Sequence, residues 1–227
     1  MRVLIFGGTF DPPHRGHAAL LIAAAKKIEP DKILIIPSYQ APLKETPKAK
    51  IEDRLVQARL GLLNKLPVRW RAKSRLDARE ARARRQVFTV ETLDALSGEL
   101  HFVVGQDSAV SFSKWRNPSR LKSLATWWYG ARPGAKGRVP PHFHRLPGRF
   151  PIISSTEIRS SLALGQDCSR EVFPEVLAYI QKKYLYGLDL LSVLKSTLSP
   201  FRYEHTLNVA SLAEALARRH GADPDKA

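Results

Sequence analysis

The sequence predicts an α/β fold, a doubly wound parallel sheet with helices on both faces, followed by a C-terminal helical extension. Three observations carry this. Short apolar runs alternate along the chain with longer stretches whose apolar residues recur every three or four positions, the order that builds a parallel sheet from strand–helix–strand units. The runs are nearly unbroken, as in "KILIIP" at 32–37, which suits strands covered on both faces. Beyond Tyr186 the alternation stops and only a helical pattern remains.

In chain order, strands are expected at 3–6, 33–36, 68–71, 100–104, 127–129 and 150–153, and helices at 17–28, 51–65, 89–96 and 118–124. The first strand runs into Gly7-Gly8, and Pro37 closes the second. The segment that follows, "PSYQAPLKETPKAK" at 37–50, is a loop by its prolines and polar residues. "ARPGAKGRVPPHFHRLPG" at 131–148 is the longest stretch expected to lack structure, and loops of that length are commonly functional. In the tail, Leu207, Leu212 and Leu216 lie along one stripe and Gly221 is a helix stop. The expected division is therefore a first domain at 1–187 and a helical tail at 188–227, the start of a second module without enough chain to close its own core.

The 227 residues carry a formal net charge of +16. Such a field favours anionic partners, whether nucleotides, nucleic acid or membrane phosphates. The basic run at 69–85 reads most simply as a solvated face. Cys168 is the only cysteine, which excludes an intramolecular disulfide and a thiolate metal cluster. Its polar surroundings suggest a surface or half-buried side chain. No run approaches the ~18 consecutive apolar residues of a membrane span. The N-terminal apolar run leads into glycines and not a cleavage site, so a cytoplasmic location is expected.

The most informative stretch is "GGTFDPPHRGH" at 7–17. A strand entering a glycine-bearing turn and then a helix start leaves backbone N–H groups and the positive helix end pointing at a ligand, which is an anion site. Gly7 and Gly8 let the backbone come close to a phosphate. Neither G-x-G-x-x-G nor a P-loop lysine is present. His14 and His17, three apart, fall on one side of the first helical turn. Imidazole donates a hydrogen bond to a phosphoryl oxygen and, as a cation, neutralises developing charge. A pair of capping or metal-binding histidines is the alternative, and the metal version lacks a third ligand nearby.

The H-x-G-H pattern behind "GGTFDP" resembles the nucleotidylyltransferase superfamily. A second element, "ISSTEIR" at 153–159, adds to the likeness. There Ser154, Ser155 and Thr156 offer hydroxyl and N–H groups to phosphate, and Arg159 can fork onto its oxygens. Taken alone, "SSTE" could be only a helix cap. Within the superfamily, the chain from Met1 to about Tyr186 resembles the nicotinate-nucleotide adenylyltransferase family. That resemblance implies a Rossmann-like fold and a set of roles. In "VFTVETL" (87–93), Thr89 would read the nicotinate carboxylate. In "FVVGQDS", Gly105 and Asp107 would meet ribose and adenine at a strand end. In "KWRNP", Trp115 would stack on the pyridine ring with Arg116 beside it, and in "ARPG" Arg132 would lie at the adenine side. Gly7, Gly8, Thr9 and Phe10 would complete the ATP cradle, and His14, His17, Lys44 and Arg159 would form the catalytic group.

There are departures from the family pattern. "APLK" stands where the family commonly has P-P-H-K, so Leu43 replaces a histidine while Lys44 is kept. Trp127 and Trp128 occupy positions where smaller aliphatic residues are usual. The tail, "RYEHTLNVASLAEALARRHGADPDKA", is similar to the opening of a metal-dependent HD-type phosphohydrolase, with His205 as its first ligand; the later His-Asp pair is absent.

The resemblance implies adenylyl transfer from ATP to nicotinate mononucleotide, with Mg²⁺ accompanying ATP and no metal ligand among the first domain's side chains. The rivals are another adenylyl- or cytidylyltransferase, such as one for pantetheine phosphate, and a basic nucleic-acid-binding module. Trp115 and "VFTVETL" speak against the first, and two phosphate motifs in register speak against the second. Self-association stays open.

Overall fold

A computed structural model describes residues 1–132, 134, 137–187, 194–195 and 197–222. The described elements are β1 (Arg2–Gly8), α1 (Arg15–Ile28), β2 (Lys32–Pro37), α2 (Ile51–Gly61), α3 (Val68–Arg71), β3 (Ser74–Leu76), α4 (Arg79–Ala83), α5 (Thr89–Asp94), β4 (Glu99–Gly105), α6 (Gln106–Val110), α7 (Pro118–Leu124), β5 (Thr126–Gly130), β6 (Phe143–Arg145), α8 (Ser155–Ala163), α9 (Pro174–Lys182) and α10 (Pro200–Arg219). Six strands form one sheet in the order β3-β2-β1-β4-β5-β6, every pair parallel. This is the Rossmann-like doubly wound order, with its switch point between β1 and β4.

Strand periodicity sorts the core into two layers. Leu4, Phe6, Ile33, Ile35 and Val103 face α1 and α2, where Leu20, Leu21, Ala24 and Ala58 pack against them. Val3, Ile5, Leu34, Ile36, Phe102 and Val104 face the other way, onto Val90, Leu93, Phe112 and Leu121. Each such aliphatic side chain contributes roughly 1.5–3 kcal/mol when fully buried. Both faces are covered, so the central strands β1 and β2 are continuous apolar runs with no polar alternation. A third cluster, including Ile158, Leu162, Val176 and Ile180, docks α8 and α9 beside the sheet.

Three expectations are corrected. Residues 68–71 form a helical turn, α3, and the third strand is Ser74–Leu76. Pro67 starts that turn, its carbonyl accepting from Trp70 N–H at 2.9 Å, and Trp70 is buried. Residues 150–153 are unpaired; Pro151 has no ladder donor, and the sixth strand is Phe143–Arg145, inside the loop expected to be structureless. Phe150 and Ile153 still bury their side chains. Cys168 is buried in the α8–α9 cluster, not at the surface.

Trp127 is buried, its Nε1 donating to Leu121 carbonyl at 2.9 Å, and Trp128 Nε1 donates to His101 Nδ1 at 3.2 Å. Both are packing residues. The tail helix α10 leaves Phe201, Val209, Leu212 and Leu216 exposed, and His205 is exposed too. The first tail residues, 188–193, lie outside the described residues. No described helix is long and apolar enough to cross a membrane.

Candidate functional site

The carboxyl ends of β1 and β4 diverge at the switch point, and a cleft of about 900 Å³ opens there. β1 ends at Gly8, and the chain turns through Phe10, which sits in the left-handed region at φ 51°. It then enters α1 at His14, an extended N-cap residue. His14 Nδ1 accepts the His17 backbone N–H, and His17 Nδ1 accepts the His14 backbone N–H, both at 3.3 Å. A ring nitrogen that accepts cannot carry the proton, so each neutral imidazole holds it on Nε2. The rings stack at 3.7 Å between centroids, and Phe10 meets His17 edge-on at 5.3 Å. The histidines therefore cap the helix and keep Nε2–H for the cleft, which joins the two readings held apart in the sequence. Gly16 leaves room for this ring: a Cβ on it would lie 3.0 Å from His14 Nδ1 and press on it.

Their charge state differs from expectation. Burial, with repulsion from Arg132, lowers the pKa of His14 to about 3. His17 lies well below its ordinary value through burial and through repulsion from His14, Lys44 and Arg132. Both are neutral donors at pH 7, and positive charge comes from their neighbours. Lys44 reaches in from the loop after β2, its pKa lowered by desolvation and Arg132 against the opposing pull of Asp107.

A second turn faces the first. Ser154 is the N-cap residue of α8 and makes no side-chain cap bond. Ser155 Oγ donates to Pro12 carbonyl at 2.9 Å, and Arg159 Nη1 donates to Asp11 carbonyl at 2.8 Å, with Nη2 3.3 Å from Thr156 Oγ1. Residues 148 positions apart are thereby stitched into one floor. At the end of β4, Arg132 N–H donates to Gln106 Oε1 at 2.8 Å, and its guanidinium lies 3.4 Å from Asp107 Oδ2.

The opposite wall is aromatic. Trp115 is half-buried and braced at 5.6 Å by Phe112, at 5.7 Å by Trp127 and at 6.4 Å by Phe102. Thr89 opens α5, and Arg116 lies over the Phe88 ring at 4.5 Å. Gly7, Gly8, Thr9, Phe10, His14, His17, Lys44, Thr89, Gly105, Asp107, Trp115, Arg116, Arg132, Ser154, Ser155, Thr156 and Arg159 all line this one cleft.

Sequence reasoning passed over several residues. Glu80 lines the cleft, accepts from Thr92 Oγ1 at 2.8 Å, and is pushed by burial up to about 7. Asp11 and Arg54 are buried beneath the floor. Arg54 carried a signal: it shares the buried face of α2 with Ile51 and Ala58, a cation on an apolar stripe. Among the described residues no group of His, Cys, Asp and Glu side chains could hold a metal ion.

Residues 5–161 match the cytidylyltransferase-like family. A "Probable nicotinate-nucleotide adenylyltransferase" of Chlorobium phaeobacteroides (strain BS1) is 32% identical over 201 residues, covering 82% of this chain and 100% of that protein. A "Probable nicotinate-nucleotide adenylyltransferase/Ap4A hydrolase" of Mycoplasma genitalium is 28% identical across 100% of this chain, which spans 63% of that protein. Among solved structures, Plasmodium falciparum nicotinic acid mononucleotide adenylyltransferase complexed with NaAD is similar in fold, with a TM-score of 0.69 at 18% identity, covering 83% of this chain and 98% of that one.

Proposed function

Since the chain belongs to the cytidylyltransferase-like family and, within it, to the nicotinate-nucleotide adenylyltransferases, we infer that its cleft transfers the adenylyl group of ATP to nicotinate mononucleotide. The mononucleotide phosphate oxygen forms a bond to the α-phosphorus as the bond to the β-phosphate oxygen breaks, giving nicotinate adenine dinucleotide and pyrophosphate. Such a transfer is carried by positioning and by charge stabilisation, with no covalent protein intermediate required. The observation that supports the reading best is the stacked His14–His17 pair, whose Nδ1 atoms are committed to backbone while Nε2–H stays free in the cleft that Lys44, Arg132 and Arg159 also line.

In this reading His14 and His17 donate to the oxygens of the α-phosphate as their charge grows. Lys44 and Arg159, with the Ser154–Thr156 turn, take the departing pyrophosphate. Gly7–Phe10 cradle the triphosphate by backbone, and Gly105, Asp107 and Arg132 hold the nucleoside. Mg²⁺ would come held by ATP and not by a side-chain cluster of the described residues, and would supply further neutralising charge beside Lys44 and Arg159. Trp115 stacks on the pyridine ring, with Thr89 and Arg116 meeting its carboxylate.

A site with donors for a carboxylate leaves one unmet when a carboxamide NH₂ takes that place. Nicotinate mononucleotide is therefore expected to be preferred over nicotinamide mononucleotide by roughly tenfold or more in kcat/KM, about 1.4 kcal/mol. Measuring pyrophosphate and dinucleotide with each acceptor tests it, and equal use of both overturns the carboxylate site. Trp115→Ala should weaken both acceptors alike, because stacking does not read the substituent. We also propose 1–187 as the catalytic unit, since every residue assigned a role lies within it. A chain ending at Gly187 should keep transfer within roughly a few-fold, as for separable cores; loss of activity or folding would move that boundary.

A further inference from the structure

The loop at 38–50, which carries Lys44, contains neither strand nor helix. Its two roots nevertheless converge on one buried guanidinium. Arg54, on α2, is 2% exposed. Its Nε donates to Ala49 carbonyl at 3.1 Å, its Nη1 to Ser38 carbonyl at 2.6 Å and Thr9 carbonyl at 2.8 Å, and its Nη2 to Tyr39 carbonyl at 2.8 Å. A guanidinium has five N–H groups in a fixed plane, and these contacts use all three nitrogens. They hold the loop's entry at Ser38 and Tyr39, its exit at Ala49, and the glycine-bearing turn at Thr9.

Asp11 supplies the complementary half. Its Oδ2 accepts Lys48 N–H at 2.8 Å and its Oδ1 accepts Ala49 N–H at 3.2 Å. Tyr186 Oη donates to Asp11 Oδ1 at 2.8 Å and accepts from Gln57 Nε2 at 3.2 Å. Carbonyls of the loop roots thus meet a cation and amides of the exit root meet an anion. For packing alone, an apolar side chain would suit the Arg54 position, beside Ile51 and Ala58, without the desolvation cost of a buried charge. The guanidinium gives what a hydrocarbon cannot: one rigid fork joining the loop to the turn that faces it.

We propose that Arg54 is a positioning residue for adenylyl transfer, which together with Asp11 and Tyr186 fixes the height of the 38–50 loop above the turn at 7–10 so that Lys44 is set for the triphosphate before ATP arrives. The proposal rests on the reading of Lys44 as a triphosphate partner. Held in advance, the loop adds no ordering cost at binding; released, it must be ordered by ATP, and the affinity for ATP falls by that cost.

The test is Arg54→Lys, which keeps a charge and loses the fork, assayed in the full chain. The KM for ATP should rise roughly tenfold while that for nicotinate mononucleotide stays within about twofold. Trypsin cleavage after Lys44 and Lys48, mapped by mass spectrometry without ATP, should quicken roughly tenfold, as expected when a local opening becomes easier. Lys44→Ala should cost much less in the Arg54→Lys background than in the wild type, since the two act through one loop. Tyr186→Phe, a milder cut at Asp11, should move both the KM for ATP and the cleavage in the same direction by roughly two- to fivefold, and it decides the matter if Arg54→Lys does not fold. Unchanged cleavage, a parallel rise in both KM values, or strictly additive costs would each overturn the proposal. A Lys44→Ala protein with an unchanged KM for ATP would remove Lys44 from the reaction and the proposed purpose of the clamp with it; the trypsin arm distinguishes that failure from absence of a clamp.

Discussion

Two helices begin at the cleft, α1 and α8, and they begin in different ways. At α1 two of the first-turn amides are already engaged: His17 N–H by His14 Nδ1, and Arg15 N–H by Glu171 carbonyl at 2.8 Å. A ring nitrogen and a backbone carbonyl close most of that helix start, and it adds ring N–H groups as donors for a ligand. At α8 the N-cap Ser154 accepts nothing with its side chain, and Ser155 Oγ turns to Pro12 carbonyl. Its backbone amides stay available, as at an anion-binding helix start. The difference suits two tasks. A reacting phosphoryl group gains most from donors fixed in place before the charge develops, whereas a departing anion must be held and then released.

The comparison breaks most visibly at His17. Replacing it with Ala removes one oriented donor and should lower kcat by roughly 10²–10³. Folding should lose only about 1 kcal/mol, from the bond that His14 N–H gives to the lost Nδ1, too little to explain such a fall in kcat. Steady-state assays with thermal unfolding measure both, and near-wild-type kcat would take His17 out of the mechanism. The rate should show no acid limb near pH 6.5 from these histidines, since both titrate well below their ordinary value.

That neutrality was hidden in the sequence, although the residues were not. H-x-G-H after a strand announces two imidazoles over a phosphate site, but their charge depends on burial and on Arg132 and Lys44, which the chain brings in from far away. The helix and strand order was legible because both sheet faces are covered, leaving unbroken apolar runs. Misreadings occurred where the outer strands are short: β3 and β6 span three residues each, too few for periodicity to register against the nearby runs at 68–71 and 150–153. Asp11, Arg54 and Tyr186 escaped because their meaning lies in partners up to 175 positions away, and no local pattern encodes those.

A second way to separate the two helix starts uses pH. The folded-state pKa of His14 is about 3 against 6.5 for a free imidazole, so between those values the unfolded chain binds more protons. Stability must then fall as pH drops below 6.5, by about 1.4 kcal/mol per pH unit for a fully depressed group, and the contribution is constant above it. His14→Asn keeps a good N-cap and removes the titration. Urea unfolding at pH 7 and pH 5 should show a smaller loss in the variant than in the wild type, by about 2 kcal/mol. Equal losses would mean that His14 is not buried in its neutral form.

The smallest effect expected lies at α8. Ser155 Oγ is a bridge between the two turns, 2.9 Å from Pro12 carbonyl. Ser155→Ala removes that hydroxyl and leaves the α8 amides in place. A neutral hydrogen bond of this kind contributes about 1 kcal/mol. Arg159 still holds the turns together through Asp11 carbonyl at 2.8 Å, so the fold should survive with little change in melting temperature. If the backbone amides of α8 do the holding, the KM for ATP should rise by only roughly two- to fivefold with kcat nearly kept. A fall in kcat as deep as that of His17→Ala would show that α8, like α1, acts through a side chain, and the contrast between a closed and an open helix start would then be lost.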